Sequence, residues 1–348
     1  MSSDIDDIVQ RAPRPTMRDV ANLAGVAIKT VSRVMNDVPT VDSELAARVI
    51  VASEKLGYRR NLTASNLRRL DGRTHTIGLL LDDVGNPYAA RIHRAIEDLA
   101  RERNFVLLAG SLDEDPARER TLTRALIDRR VDGLIVMPVG DDHRYVVSEQ
   151  LAGTSFVFID REPVPLLADA VTAHNRRGSK EGVKHLIDGG HRRIAYFGDS
   201  QSIFTARRRF AGYSEAMTEN GLTVEPELVF HDLGTTTAAA AAATALLSSS
   251  HAPDAIFASQ NLVTIGIVEA LHHLQLQETI AFVGFDDVPL GALVRPGITV
   301  VAQNPTAIGK LAAERLFARI DGDQSAPYSY SIATELVQRG SGEIRITS

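Results

Sequence analysis

Ile28, Lys29, Ser32 and Arg33 stand within one short stretch of the chain. An apolar tip, two cations and a hydroxyl are side-chain types that reach base edges in the major groove of DNA. Such groups read bases only when a rigid element carries them, and the flanking residues supply one. Val20, Leu23 and Ala24 sit at helical spacing, Gly25 interrupts the run where a turn can use positive φ, and Val31, Val34 and Met35 form a second short apolar face. Two short helices about a glycine turn make a helix-turn-helix, with Ile28, Lys29, Ser32 and Arg33 off the buried side of the second helix. A small αα-hairpin of any purpose has the same apolar spacing, so the neighbouring segments decide.

The stretch over 16–37 resembles the N-terminus of the lactose repressor/galactose repressor family of bacterial transcription regulators, whose signature runs T-x-x-D-V-A-x-x-A-G-V-S-x-x-T-V-S-R-V-x-N. Thr16, Asp19-Val20-Ala21, Ala24-Gly25-Val26, Thr30-Val31-Ser32-Arg33-Val34 and Asn36 match it. The resemblance implies that Thr16, Thr30 and Asn36 contact DNA beside Ile28, Lys29, Ser32 and Arg33. Ala27 stands where the family has serine. The second helix is therefore expected to lack a side-chain cap, a loss on the order of 1 kcal/mol.

A proline-marked loop leads from Asp37 to a third helix near 43–56, capped by Asp42 or Ser43, faced by Leu45, Val49, Ala52 and Leu56, and ended by Gly57. Tyr58-Arg59-Arg60-Asn61 stands where the family has Y-x-P-N, with Arg60 in place of the proline. In the family this tyrosine, here Tyr58, lies on the DNA backbone; packing on the three-helix core is the alternative. The next residues resemble the family's hinge helix, N-x-x-A-x-x-L. Ala64 and Leu67 share a face, and Arg68 and Arg69 add charge. The resemblance implies that Asn61, Ala64, Leu67 and Arg68 meet the operator, paired hinge helices entering the minor groove with one leucine wedged from each. A plain interdomain linker is the bland alternative.

Charge distribution fits this reading. The chain has 348 residues, suggesting two or three domains, and a net charge of −6. Residues 11–70 hold eleven Lys/Arg against five Asp/Glu, so the rest carries −12. A basic head on an acidic body is a localised footprint for phosphates. The first fifteen residues read as a polar tail rather than a signal peptide, no apolar run approaches the roughly 18 residues of a membrane span, and there is no cysteine. These features point to the cytoplasm and away from membranes.

From residue 75 strands and helices alternate. Apolar runs over 76–81, 105–108, 131–137, 156–159, 194–197, 228–230, 255–257 and 280–283 read as strands, with helices between them and a last one over 306–320. Near-continuous apolar strands separated by helices mean parallel sheets covered on both faces, an α/β core that binds ligand at the carboxyl ends of its strands. The body resembles the family's core, which is similar to type I periplasmic binding proteins and crosses three times between two doubly wound subdomains. The expected organisation is thus a tail over 1–15, an all-α head over 16–60, a hinge over 61–74 and a core over 75–348. The resemblance places one subdomain at about 75–173 plus 303–335 and the other at about 174–302.

The same resemblance supplies ligand-binding candidates. Asn86-Pro87-Tyr88 is similar to the family's N-P-F/Y, Asp160 matches a cleft aspartate, and Arg209 sits in an R-x-x-G. Asp286 sits in a V-G-x-D-D, and Gln303 in a T-x-x-x-Q. Gln260 and Asn261 replace the usual N-D, which bears on the ligand class. Single aspartates could equally cap helices or form ion pairs, and Tyr88 could simply pack. Together, carboxylates and an arginine suit a hydroxyl-rich ligand.

No G-x-S-x-G, no phosphate-binding G-x-x-x-x-G-K-[ST] and no G-x-G-x-x-G after the first strand occurs, and the histidines lack metal-ligand spacing. The sequence therefore reads as a non-enzymatic, cofactor-free and metal-free regulator. It is expected to be a homodimer binding near-palindromic operator DNA and a small effector, a sugar or sugar derivative. Release by ligand is the expected sign, with a purine-type corepressor as the alternative. A pure small-molecule binding protein has no use for the basic head.

Overall fold

The computed structural model describes residues 15–35, 38–58 and 73–345. Asn36 and the hinge candidates Asn61, Ala64, Leu67 and Arg68 lie outside the described residues. Contacts divide the chain between Thr74 and His75 into two compact units.

The described residues of the first unit hold three helices: α1 (Met17–Ala24), α2 (Ile28–Val34) and α3 (Ser43–Leu56). Thr16 and Asp19 form a capping box that starts α1, and Gly25, at φ +63°, ends it. Asp42 caps α3 through the amides of Glu44 and Leu45, and Gly57 closes it in the left-handed region. The core holds Val20, Ala21, Ala24, Val31, Val49 and Ala52. Leu23, expected inside, is 53% exposed. Met17, Val20, Ala21 and Ala24 share one stripe of this short helix, which leaves position 23 at its outer edge.

The second unit contains two six-stranded sheets. Sheet one runs β2 (Val106–Ser111), β1 (Thr76–Leu81), β3 (Gly133–Val136), β4 (Ser155–Ile159), β5 (Asp169–Ala173) and β11 (Ser329–Ile332), all parallel. Sheet two repeats that order with β7 (Val229–Phe230), β6 (Ile194–Phe197), β8 (Ala255–Ala258), β9 (Ala281–Phe285), β10 (Thr299–Ala302) and β12 (Glu335–Val337). Only β12 is antiparallel to its neighbour. The chain passes from β11 of the first sheet to β12 of the second between Ile332 and Glu335, and the residues that follow close the second sheet.

Helices cover both faces, so alternate strand residues enter opposite cores. Ile77, Leu79 and Leu81 pack with α4 (Pro87–Glu102) and α11 (Pro305–Ile320), whereas Leu80 joins Leu134, Val136 and Phe158 beneath α5 (Pro116–Ile127) and α6 (Tyr145–Leu151). In sheet two, Tyr196, Phe257 and Val283 pack on α7 (Asn175–Asp188) and α8 (Phe204–Glu219). Phe197, Ile256 and Phe282 pack on α9 (Thr236–Leu247) and α10 (Asn261–His273). Burial on both faces is why the strands carry no alternation of polar residues. Among the described residues no helix is long and apolar enough to cross a membrane.

Candidate functional site

The head presents α2. Ala27 precedes it in extended conformation and makes no side-chain cap bond, as the missing serine implies. Ile28 is 45% exposed, Lys29 and Arg33 are exposed, and Thr30 and Ser32 are half-buried. The Arg33 guanidinium donates to Thr40 Oγ1 at 2.6 Å, which props it against the following loop. Arg48, reaching from α3, donates to the carbonyls of Ala24 at 2.5 Å and Gly25 at 3.3 Å. That bond satisfies the C-terminal end of α1 and ties the turn to α3. Thr16 spends its hydroxyl in the capping box yet remains exposed. Tyr58 is half-buried against the head's core.

In the second unit a cleft lies at the carboxyl ends of both sheets, with about 690 Å³ of empty space including its mouth. Asn86, Tyr88, Asp160, Arg209, Gln260 and Asp286 line it. Asp160 directly follows β4 and Asp286 directly follows β9, the same place in the two sheets. Both adopt the left-handed region, φ +65° and +71°, and each amide bonds the neighbouring strand, Asp160 to Val171 and Asp286 to Val301, at 2.9 Å. Aspartate tolerates this conformation better than most residues, at a cost on the order of 1 kcal/mol. A repeated exception of this kind at the end of a buried strand turns the side chain out of the sheet.

The carboxylates are tied into one network. Tyr88 shares its single hydroxyl proton between Asp160 Oδ1 at 2.9 Å and Gln303 Oε1 at 3.2 Å. Gln303 donates through Nε2 to Asp286 Oδ1 at 2.6 Å. It thus acts as a buried strut beneath the cleft rather than a wall of it. Burial first, and then the nearby Asp160 and Asp286, hold the Tyr88 hydroxyl well above its usual pKa, so it stays a donor. Burial also pushes Asp286 up, against the pull of Arg209 and the bond from Gln303.

Arg209 lies on α8 with its guanidinium 4.0 Å over the Phe285 ring. Its Nε donates to Asn175 Oδ1 and its Nη1 to the Ser259 carbonyl, both at 2.7 Å, and Nη1 stands 3.8 Å from Asp286. Gly212 makes this approach possible, because a Cβ there would overlap the backbone oxygen of Arg176 on α7. Gln260 caps α10 through the Leu262 amide at 2.9 Å, and its Nε2 reaches Asp199 at 3.5 Å. Asn86 caps α4 and exchanges amide bonds with Asn261 across the cleft, 2.7 Å one way and 3.4 Å the other.

Several cleft residues escaped the sequence reading, Asp82, Glu114, Arg161 and Asp199 among them. Asp82 directly follows β1 and Asp199 stands just past β6, again matching places in the two sheets. Their placement past parallel strands, the same that supports Asp160 and Asp286 beside the family resemblance, is the signal that points to them. Arg161, beside Asp160, is 7% exposed and grips Glu114 with both terminal nitrogens. Burial opposes its charge, yet the bonds to Glu114 hold its pKa above the ordinary value. Glu114 also donates its amide to Asp82 at 3.0 Å. Burial first, then the Glu114 charge, push Asp82 up to about 6.

Comparison with known proteins agrees with both units. Residues 16–61 match the model of bacterial regulatory proteins of the lacI family, and residues 183–342 that of a periplasmic binding protein-like domain. A ribose operon repressor of Halalkalibacterium halodurans is 31% identical over 335 residues, covering 93% of this chain and 96% of the relative. The chain belongs to the LacI family. A structure of the transcriptional regulator CelR with cellobiose is 29% identical, with a TM-score of 0.69 over 94% of this chain and 100% of that one. A lac repressor dimer bound to operator is 23% identical, with a TM-score of 0.80 over 95% of this chain and 99% of that one, a likeness of fold. The LacI-family head thus corresponds to α1–α3, and the periplasmic binding protein-like match runs from α7 to the end of the second sheet.

Proposed function

We propose that this LacI-family chain is a dimeric transcriptional repressor that binds a near-palindromic operator through its heads and releases it when a sugar or sugar derivative occupies the cleft. Two heads on a two-fold axis read two half-sites, with Ile28, Lys29 and Arg33 on base edges and Thr16, Thr30, Ser32, Asn36 and Tyr58 nearby. Asn61, Ala64, Leu67 and Arg68 contribute at the minor groove. Such a protein works in the cytoplasm, where the operator is.

The observation that carries the effector reading is the network joining the halves of the core. Tyr88 and Asp160 belong to the first sheet's side, Asp286 to the second, and Gln303 sits at the crossing between them. A ligand held by these groups binds one arrangement of the halves better than another, which is what an allosteric response requires. The relatives' names, a ribose operon repressor and a regulator with cellobiose, favour sugars as the class. The test is selection of binding sites from random DNA, followed by titration of the selected site with and without neutral sugars. Selection of a near-palindrome and its release by a sugar is the expected result. DNA binding without sequence preference, or sequence-specific binding that no sugar alters, overturns the corresponding half of the proposal.

A further inference from the structure

Six carboxylates and two guanidiniums line the cleft. One guanidinium is already committed, since Arg161 holds Glu114 with two bonds and stands 3.7 Å from Asp160. Arg209 serves Asn175, Ser259 and, at 3.8 Å, Asp286. The bonds that reach Asp82 and Asp199 come from neutral groups: the Glu114 amide on Asp82, and the Ser200 amide and Gln260 side chain on Asp199. These two aspartates come one from each sheet. Like charges therefore face each other from the two halves of the core.

An ionised carboxylate only accepts hydrogen bonds. Hydroxyl and ammonium groups answer it, whereas a phosphate or carboxylate brings more acceptors and more negative charge. We infer that the cleft selects its effector by charge: it takes a polyhydroxylated ligand without phosphate or carboxylate, and Asp82, Glu114 and Asp199 turn anionic sugars away. This rests on the reading of the cleft as the effector site. The electrostatics agree. Burial, Glu114 and the opposing pull of Arg161 act on both aspartates, and both are held above the ordinary aspartate value. A separate groove is lined by Arg176, Arg177, Lys180 and Arg208 together with Glu162 and Glu215, and so carries more cations than carboxylates. An anion bound to the protein nonspecifically has that groove available, so the test needs a control for it.

The experiment is calorimetry and thermal shift on the full chain with matched series: neutral pentoses, hexoses and disaccharides, their phosphates, their aldonates and their amino derivatives, with inorganic phosphate as the anion control. A neutral or amine-bearing member should bind at least roughly tenfold tighter than its phosphate or aldonate at pH 8. The gap should narrow at pH 5.5, where Asp82, pushed up to about 6, is largely protonated. It should also narrow at pH 8 in the Asp82→Asn/Asp199→Asn double variant. Anionic sugars that shift the melting temperature no more than inorganic phosphate count as excluded. An anionic member that binds tighter than its neutral parent, and loses that binding in Arg209→Ala, overturns the charge selection while leaving the sugar reading intact. An unchanged gap in the double variant overturns the roles given to Asp82 and Asp199. If no member of any charge class binds a protein that still binds operator, the effector reading falls and this inference with it.

Discussion

Replacing Asp82 with asparagine should stabilise the ligand-free protein, and only above mildly acidic pH. Asp82 is half-buried, accepts the Glu114 amide at 3.0 Å and faces the Glu114 charge. Its pKa rises from 3.8 to about 6. The folded state therefore holds the proton more tightly than the unfolded chain. The stability linked to this proton is fully present below the unfolded value and is lost as pH rises through the folded one. One pKa unit corresponds to about 1.4 kcal/mol. The full shift would be about 3 kcal/mol, and solvent screening of a half-exposed group reduces it to roughly 1–2 kcal/mol. Asparagine keeps the acceptor for the Glu114 amide and never pays the ionisation cost. The variant should thus match the wild type near pH 4, pull ahead between about pH 4 and 6, and melt roughly 2–8 °C higher at pH 8. The assay is thermal unfolding of the core across that range, followed by far-ultraviolet circular dichroism. A lower melting temperature at pH 8, or a difference that ignores pH, would show that Asp82 carries no ionisation cost in the fold.

Tyr88→Phe removes the only proton shared by Asp160 and Gln303 in this network; effector affinity should fall by about 1–2 kcal/mol, roughly 5- to 30-fold, and equal affinity by calorimetry would remove Tyr88 from the site. Asn86→Ala and Asn261→Ala, singly and together, should give a coupling energy of about 0.5–1.5 kcal/mol in core stability, because one reciprocal amide pair joins them; strict additivity would mean that the pair does not hold the cleft. Arg33→Ala should cost about 1–3 kcal/mol at one base position per half-site, and a site selection returning the wild-type consensus would place Arg33 off the base edges.

How much of this was legible depended on whether the cause was local. Glycines at helix ends, Asp42 as a cap and the uncapped α2 are properties of adjacent residues, and sequence order carries them. Long apolar strands such as Thr76–Leu81 were equally plain. Asp169–Ala173 does not read as a strand in the sequence, because it opens on a charge. Asp169 is buried there because Arg315 and Arg319 of α11 meet it at 3.1 and 2.8 Å and the Tyr328 amide donates to it at 3.0 Å. Ser329–Ile332 and Glu335–Val337 are short outer strands with mixed burial, and each borrows its partner from far along the chain. The cleft divides in the same way. Aspartates at strand ends are visible in sequence, whereas the grip of Arg161 on Glu114 and the strut formed by Gln303 exist only once the crossings bring distant loops together.

The repeated order of the two sheets gives the cleft a mechanical character. Asp82 and Asp199 stand just past corresponding strands, and so do Asp160 and Asp286, so both halves bring carboxylates to the same gap. Without a ligand, repulsion between them works against closure, while the Asn86–Asn261 exchange and the Tyr88–Gln303–Asp286 chain work for it. Those opposing contributions are each of the order of a hydrogen bond or a screened charge pair, about 1 kcal/mol. Contributions of that size can be outweighed by a ligand of modest affinity, provided that its donors satisfy carboxylates on both sides at once. A ligand touching one side alone would bind both arrangements equally and shift nothing. For the proposed sugar effector, the spacing of its hydroxyls, more than their number, would therefore set whether binding produces a response.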